Sequence, residues 1–176
     1  MPPSPEGTGH ARLMAALSAG RARYRLLEHP PEGRTDTASR LRGHPLHQAA
    51  KSLVIRVALG GRTSRYVLAV VQGDRRVDLD AVRDCVGGTR AGMADRATAE
   101  RLTGCVSGSI IPFSFDPALT LIADRDLLEQ EEIYFNAARL DLSVALPVPA
   151  YREIAAPLSA RVALPAAEAA PAATAA

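Results

Sequence analysis

The chain has 176 residues, 47% of them hydrophobic, with 21 basic against 19 acidic side chains and a formal net charge of +2. That length and apolar content suffice for one packed domain and exclude disorder throughout. No apolar run approaches the roughly 20 residues of a membrane span, residues 1–10 carry no apolar signal stretch, and two cysteines make no disulfide framework, so the chain reads as cytoplasmic and its small positive charge permits nucleic-acid contact without demanding it.

Taken in order, residues 1–9 are Pro/Gly-rich and read as a disordered leader. Leu13, Met14 and Leu17 recur at helical spacing and predict a helix over 10–19 that ends at Gly20. A short strand is expected over 24–27, then a short helix over 35–41 that starts at the capping oxygens of Thr35, Asp36 and Thr37 and stops at Gly43 and Pro45. Apolar runs over 53–59 and 66–71, joined by Gly60-Gly61-Arg62, predict a hairpin of central strands. Helices are expected over 78–86, with Cys85 in the core, and over 96–102, capped by Asp95 and closed by Gly104. Short strands over 119–123, 133–136 and 144–148 follow, with a last helical turn or two over 150–155. Residues 159–176 turn Ala/Pro-rich and are expected to be disordered, because they bury too little apolar area to offset their ordering entropy. The domain therefore spans 10–158. Short strands interleaved with short helices, without a regular βαβ period, predict a single α+β domain around a mixed sheet.

One lysine, Lys51, stands among 20 arginines. In a chain that writes its other cations as arginine, the exception marks a place for a compact ammonium, which makes point contacts and loses its proton more readily when desolvated than the planar guanidinium does. Lys51 opens an apolar run, at the edge of a strand. Chance survival of one surface lysine is the alternative.

The second unusual segment runs from Thr103 to Phe113. It holds Gly104, Gly108 and Pro112 yet is apolar, which implies backbone packed closely against something. Gly108 lets a ligand approach the chain, Pro112 stiffens the exit, and backbone N–H groups there suit a carbonyl or an oxyanion. A buried structural turn is the competing reading.

Lys51 in the context His47-Gln48-Ala49-Ala50-Lys51-Ser52-Leu53-Val54, with the Gly108-x-x-x-Pro112 loop after Leu102-Thr103-Gly104, resembles the YbaK/ProX family, free-standing relatives of the editing domain inserted in bacterial prolyl-tRNA synthetase. The segments Arg65 to Val71, Val77-Asp78-Leu79, Leu121 to Asp124 and Ile133 to Ala137 fall in the expected order, and the likeness spans about residues 22–155. The resemblance implies a barrel-like mixed sheet flanked by short helices and a deacylase that hydrolyses the ester of mischarged aminoacyl-tRNA. It implies Lys51, Gly108 and Pro112 as the catalytic set, with Ser52, Ser107, Ser109, Ile110, Ile111, Asp124 and Asn136 against the substrate. Lys51 would hold the aminoacyl-adenosine and the loop would position its carbonyl, a substrate ribose hydroxyl helping to activate water. The implied partner is the acceptor end of aminoacyl-tRNA, with an aminoacyl-tRNA synthetase as a further candidate, no cofactor, no membrane and a monomeric state. The loop version here looks closest to branches acting on seryl or threonyl esters, before alanyl ones. Two features depart from the family: Ala138 stands where many members carry glycine, and a histidine found just afterwards in some branches is replaced by Leu140-Asp141-Leu142. Those departures leave a non-catalytic aminoacyl-tRNA-binding module of the same fold as the alternative function.

Other signals are weaker. His44-Pro45-Leu46-His47 lacks a cysteine or carboxylate at zinc spacing, so no metal is expected. Asp124 serves equally well as the cap of a following helix. Arg40, Arg42, Arg56, Arg62 and Arg65 flank the Lys51 region and suit tRNA phosphates or a merely solvated face. Ser107, Ser109 and Ser114 lie near the loop but all four histidines lie upstream, so a Ser–His pair would arise only by spatial coincidence. Cys105 sits beside the loop without an evident base. A Schiff-base role for Lys51 would require a desolvated amine.

Overall fold

The structure, a computed structural model, describes residues 5–166. Its centre is the antiparallel pair β2 (Ala50–Gly60) and β3 (Thr63–Gln72), joined at Gly60 and Gly61, both with positive φ. Val67 to Val71 of β3 are all 0% exposed, so this strand is covered on both faces, as its unbroken apolar run requires. Strand alternation divides those residues between two cores: Val54, Leu68 and Val70 enter the larger, Ile55, Val67 and Ala69 the smaller.

β4 (Arg90–Met93) pairs with the outer edge of β2, while β5 (Leu119–Asp124) runs parallel to β3 and β8 (Leu158–Ala160) parallel to β5. The order is β4-β2-β3-β5-β8. A second, antiparallel sheet has the order β1-β7-β6, from β1 (Arg25–Glu28), β6 (Glu132–Arg139) and β7 (Leu142–Pro147). The larger core joins the two sheets and takes Leu13 and Leu17 from α1 (Pro5–Ala19) and Tyr151 from α6 (Val148–Ala155). α3 (Leu79–Cys85) places Val82 in the smaller core. α2 (Thr35–Arg42), α4 (Arg96–Thr103) and α5 (Arg125–Leu128) complete the helices, with a 3₁₀ turn at Leu46–Gln48.

The α+β class with a mixed sheet stands, but the barrel-like closure does not. Two open sheets meet at a single parallel bridge, Ala49 to Tyr134. Other differences have physical causes. α1 begins at Pro5, inside the expected leader, and its Gly9 amide donates to the Gly104 carbonyl at 3.2 Å. The expected tail starts too early: Leu158–Ala160 is a strand, and Val162 is fully buried in the smaller core. The remainder of the expected tail and leader, residues 167–176 and 1–4, lies outside the described residues. Cys85, expected inside, is exposed, because α3 turns Val82 inward instead.

Candidate functional site

A cavity of about 420 Å³ opens where the two sheets diverge. One wall is the edge of β2. β4 covers that edge only from Ile55 to Ala58, and the Ala94 amide closes the pairing on the Val54 carbonyl at 2.9 Å. Because backbone groups alternate along an antiparallel strand, Ser52 presents its N–H and C=O to the same open edge, inside the cavity. Its Oγ is buried without a hydrogen-bond partner among the described residues, which suits a wall awaiting a polar ligand.

The opposite wall is the glycine loop. Gly108 and Ile110 line the cavity, whereas Ser109 is 1% and Ile111 0% exposed beneath it. The loop is pinned at several points. Glu100 Oε1 accepts from the Ser107 amide and hydroxyl, each at 3.0 Å, and these bonds hold its carboxyl below the usual range. Ser109 donates from both N and Oγ to the Val106 carbonyl. The Pro112 carbonyl accepts from the buried Tyr151 hydroxyl at 2.8 Å. Gly108 has φ +89°, and a Cβ there would come within 3.0 Å of the Gly33 Cα, so only glycine fits without strain. Among the described residues the amides of Gly108 and Ile110 have no hydrogen-bond acceptor.

Four cations line the cavity, Arg34, Arg42, Lys51 and Arg96, and among the described residues no acid does. Arg34 and Arg96 are exposed and paired with Asp36 and Glu100 at 3.3 and 2.9 Å. Arg42 and Lys51 belong to no ion pair among the described residues. Desolvation lowers the Arg42 guanidinium to about 10, still charged at neutral pH. It donates only to neutral groups: His44 Nε2 at 2.9 Å, Ser143 Oγ at 3.2 Å, and Asn136 Oδ1 and Ser39 Oγ, each at 3.4 Å. Lys51 is half-buried, its pKa lowered chiefly by desolvation, and its Nζ donates to the Arg75 carbonyl in the turn after β3. Its neighbours Ala50 and Val54 belong to the larger core and Leu53 and Ile55 pack with the smaller, so the pleat turns its stem toward that turn.

The structure thus brings six of the expected residues to one cavity: Lys51, Ser52, Ser107, Gly108, Ile110 and Asn136. Ser109, Ile111 and Pro112 support the loop from behind. Asp124 lies elsewhere, 2% exposed, where it caps α5 through the Asp126 amide and accepts from Val162 N at 2.8 Å and Ala163 N at 2.9 Å. The expected substrate contact of Asp124 is therefore corrected to a structural one. A Ser–His pair does exist, His29 Nε2 to Ser143 Oγ at 2.7 Å, but Ser143 is 0% exposed, behind Asn136. Ser114 bonds to the Leu119 carbonyl, and burial pushes the Cys105 thiol up. None of Ser143, Ser114 and Cys105 lines the cavity, and of the two serines that do, Ser52 and Ser107, neither hydroxyl is paired with a histidine among the described residues. Arg34, Arg96 and Glu100 escaped the sequence reading. Among 20 arginines none is distinctive, although Glu100, four residues after Arg96, carried the spacing of a helical ion pair.

Residues 29–154 match the family described as the aminoacyl-tRNA editing domain. Over 149 residues, 84% of this chain and 89% of the relative, the sequence is 44% identical to the multifunctional Ser/Thr-tRNA deacylase ProXp-y of Escherichia coli strain K12. Among solved structures, hypothetical protein APE2540 superposes with a TM-score of 0.78 at 21% identity, covering 87% of this chain and 99% of that one. A candidate trans-editing enzyme for prolyl-tRNA synthetase gives 0.73 at 22% identity, covering 90% and 99%. At such identities the structural matches speak for the fold alone.

Proposed function

The chain belongs to the aminoacyl-tRNA editing domain family, and from that premise we propose that it hydrolyses the ester of mischarged aminoacyl-tRNA, with seryl and threonyl esters as its substrates. The observation that carries this reading is the cavity with four cations and, among the described residues, no acid, faced by a glycine loop with two amides that these residues leave unengaged. Such a site suits an anionic strand that ends in a carbonyl.

In this reading the ester carbonyl docks on the loop at Gly108 and Ile110. Water adds to the carbonyl carbon, and the negative charge on its oxygen is met by the two amides, donors fixed before reaction begins. The tetrahedral intermediate then expels the ribose oxygen, which leaves with a proton, so the products are the free amino acid and tRNA. The substrate's neighbouring ribose hydroxyl directs the water, which accords with cavity serines that have no histidine partner among the described residues. Because aminoacyl esters are already activated, positioning and electrostatics supply most of the rate. Lys51 exchanges the Arg75 carbonyl for an oxygen of the aminoacyl-nucleoside. Ser52 offers its hydroxyl and strand edge to the same ligand. The protein acts as a monomer on the acceptor end, with delivery by an aminoacyl-tRNA synthetase the natural arrangement for a free-standing editor.

The test is hydrolysis of labelled seryl-, threonyl-, alanyl- and prolyl-tRNA by wild type and Lys51→Ala. Turnover of the seryl and threonyl esters by wild type, lost in a folded Lys51→Ala protein, is expected. Full activity of the variant would remove Lys51 from the site; tight tRNA binding without turnover of any ester would leave the non-catalytic module.

A further inference from the structure

Asn136 was expected to touch substrate, but its bonding capacity is filled by protein. A side-chain amide has two N–H donors and an oxygen with two acceptor positions. Nδ2 donates to the Glu32 carbonyl at 2.8 Å and to the Gly108 carbonyl at 3.1 Å. Oδ1 faces Arg42 Nη1 at 3.4 Å and the Ser143 hydroxyl at 3.0 Å. The orientation is forced: the reverse flip would set Nδ2 against a guanidinium and Oδ1 against two carbonyls.

We propose that Arg42 and Asn136 form one positioning unit that orients the loop amides of Gly108 and Ile110 for the ester carbonyl. Arg42 acts through Asn136 and Asn136 through the Gly108–Ser109 peptide. That peptide is held at its two ends, its oxygen by Asn136 and its N–H by the Val106 carbonyl at 3.0 Å. With the central plane fixed, the flanking peptides that carry the Gly108 and Ile110 N–H groups inherit their direction. The same amide ties Glu32 to the loop, where a Cβ on Gly108 would come within 3.0 Å of the Gly33 Cα. Among the described residues Arg42 has no carboxylate to hold it elsewhere, and its remaining partners His44, Ser143 and Ser39 are neutral. A guanidinium so placed dictates which end of the Asn136 amide faces the loop.

This inference rests on the deacylase reading, and the experiment separates the two. Single-turnover and steady-state hydrolysis of seryl-tRNA would be measured for Arg42→Met, Asn136→Asp, Asn136→Ala and the Arg42→Met/Asn136→Asp double variant, beside hydrogen exchange over residues 105–111. Each single variant is expected to lower kcat by about 10- to 100-fold, somewhat below the loss of an entire oxyanion donor, with KM changed by less than about threefold. The double variant should be no slower than the slower single one, since both act on one element. Arg42→Lys, which keeps a donor for Oδ1, should recover part of kcat. Exchange of the loop should rise in every variant except Arg42→Lys, while β3 and β5 keep their protection. Additive losses, or an Arg42→Met effect confined to KM, would overturn the unit and make Arg42 a direct substrate contact. If wild type hydrolyses no ester, the deacylase reading fails, and unchanged loop exchange in Arg42→Met and Asn136→Ala would then overturn the positioning unit on its own.

Discussion

His44 shows how a single ring can report on the site's electrostatics. It stacks on Tyr134 with centroids 3.8 Å apart, and its Nε2 accepts from Arg42 Nε while its Nδ1 donates to the Pro45 carbonyl. Desolvation, aided by the Arg42 charge, lowers its pKa from 6.5 to about 4. As pH falls, the unfolded chain takes this proton first, so the histidine's contribution to stability is present above pH 6.5 and is lost between there and about 4. Exposed carboxylates whose pKa values are lowered, such as Asp36 and Asp141, add losses of the same sign at lower pH. The discriminating measurement is urea unfolding at pH 7 and pH 5 for wild type and His44→Gln. The variant should show a flatter pH dependence in that window, and a parallel profile would refute the assignment. Ala138 poses a different question at the same scale. Its φ is +58°, which explains why glycine suits the position, and its methyl is buried, 3% exposed. Relief of the left-handed strain, about 1–2 kcal/mol, opposes loss of a buried methyl and added backbone freedom, each about 1 kcal/mol. Ala138→Gly is therefore expected to leave stability within about 1 kcal/mol and kcat unaltered, as thermal unfolding and seryl-tRNA hydrolysis would show. The departure from glycine is thus no argument against catalysis.

Among the elements, the start of α1 and the whole of β8 escaped the sequence and carry the clearest structural predictions. Gly9 lies mid-helix, where alanine would normally be favoured by about 1 kcal/mol. Here a Cβ would meet the Gly104 carbonyl and Cys105 Sγ at 2.8 Å, at the root of the glycine loop. The backbone contact cannot yield cheaply, so Gly9→Ala should destabilise by about 1–3 kcal/mol despite its propensity; an unchanged or raised Tm would contradict this packing. β8 is held by Asp124, whose carboxylate takes the Val162 and Ala163 amides besides capping α5. Asp124→Ala leaves buried donors unsatisfied and should cost about 3 kcal/mol, yet the folded fraction should hydrolyse ester at the wild-type rate, because the Asp124 carboxylate does not line the cavity and is engaged by backbone amides. Loss of kcat in a fully folded variant would restore it to the site. The central hairpin and α4 were readable because their signals are local, a continuous apolar run and an Asp95 cap that accepts from Thr98 N at 2.8 Å. β8 was not, since an Ala/Pro-rich stretch becomes ordered through partners distant in sequence, β5, the Arg76–Asp78 backbone and a carboxylate 38 residues away. β4 and α5 span four residues each, too short for periodicity to register.

At the scale of the whole molecule, a net charge of +2 conceals a strongly polarised site. Lys51 and Gly108 stood out in the sequence because one is compositionally alone and the other belongs to a spaced signature. The arginines did not, since which of 20 similar residues meet at one cavity is decided by tertiary packing. Their arrangement separates depth from rim. Arg42 and Lys51 lie inside without acidic partners among the described residues, whereas the side chains of Arg34 and Arg96 are 77% and 75% exposed at the mouth. Exposed ion pairs contribute at most about 1 kcal/mol, so Asp36 and Glu100 hold these two arginines in place at little energetic cost to their release. A single-stranded acceptor end entering the cavity would draw them onto its phosphates and shed counterions. KM for seryl-tRNA should therefore rise with salt. Arg34→Ala and Arg96→Ala should each raise KM at low salt and reduce the log–log salt slope by about 0.7, the value for one phosphate on a single strand. Neither should change kcat with the reacting carbonyl docked at the loop as proposed. The measurement is KM and kcat from about 50 to 200 mM salt, the range over which phosphate contacts lose most of their affinity. Unaltered slopes in the double variant would mean that the strand enters by another side of the rim, and a fall in kcat would place one of these arginines at the ester instead.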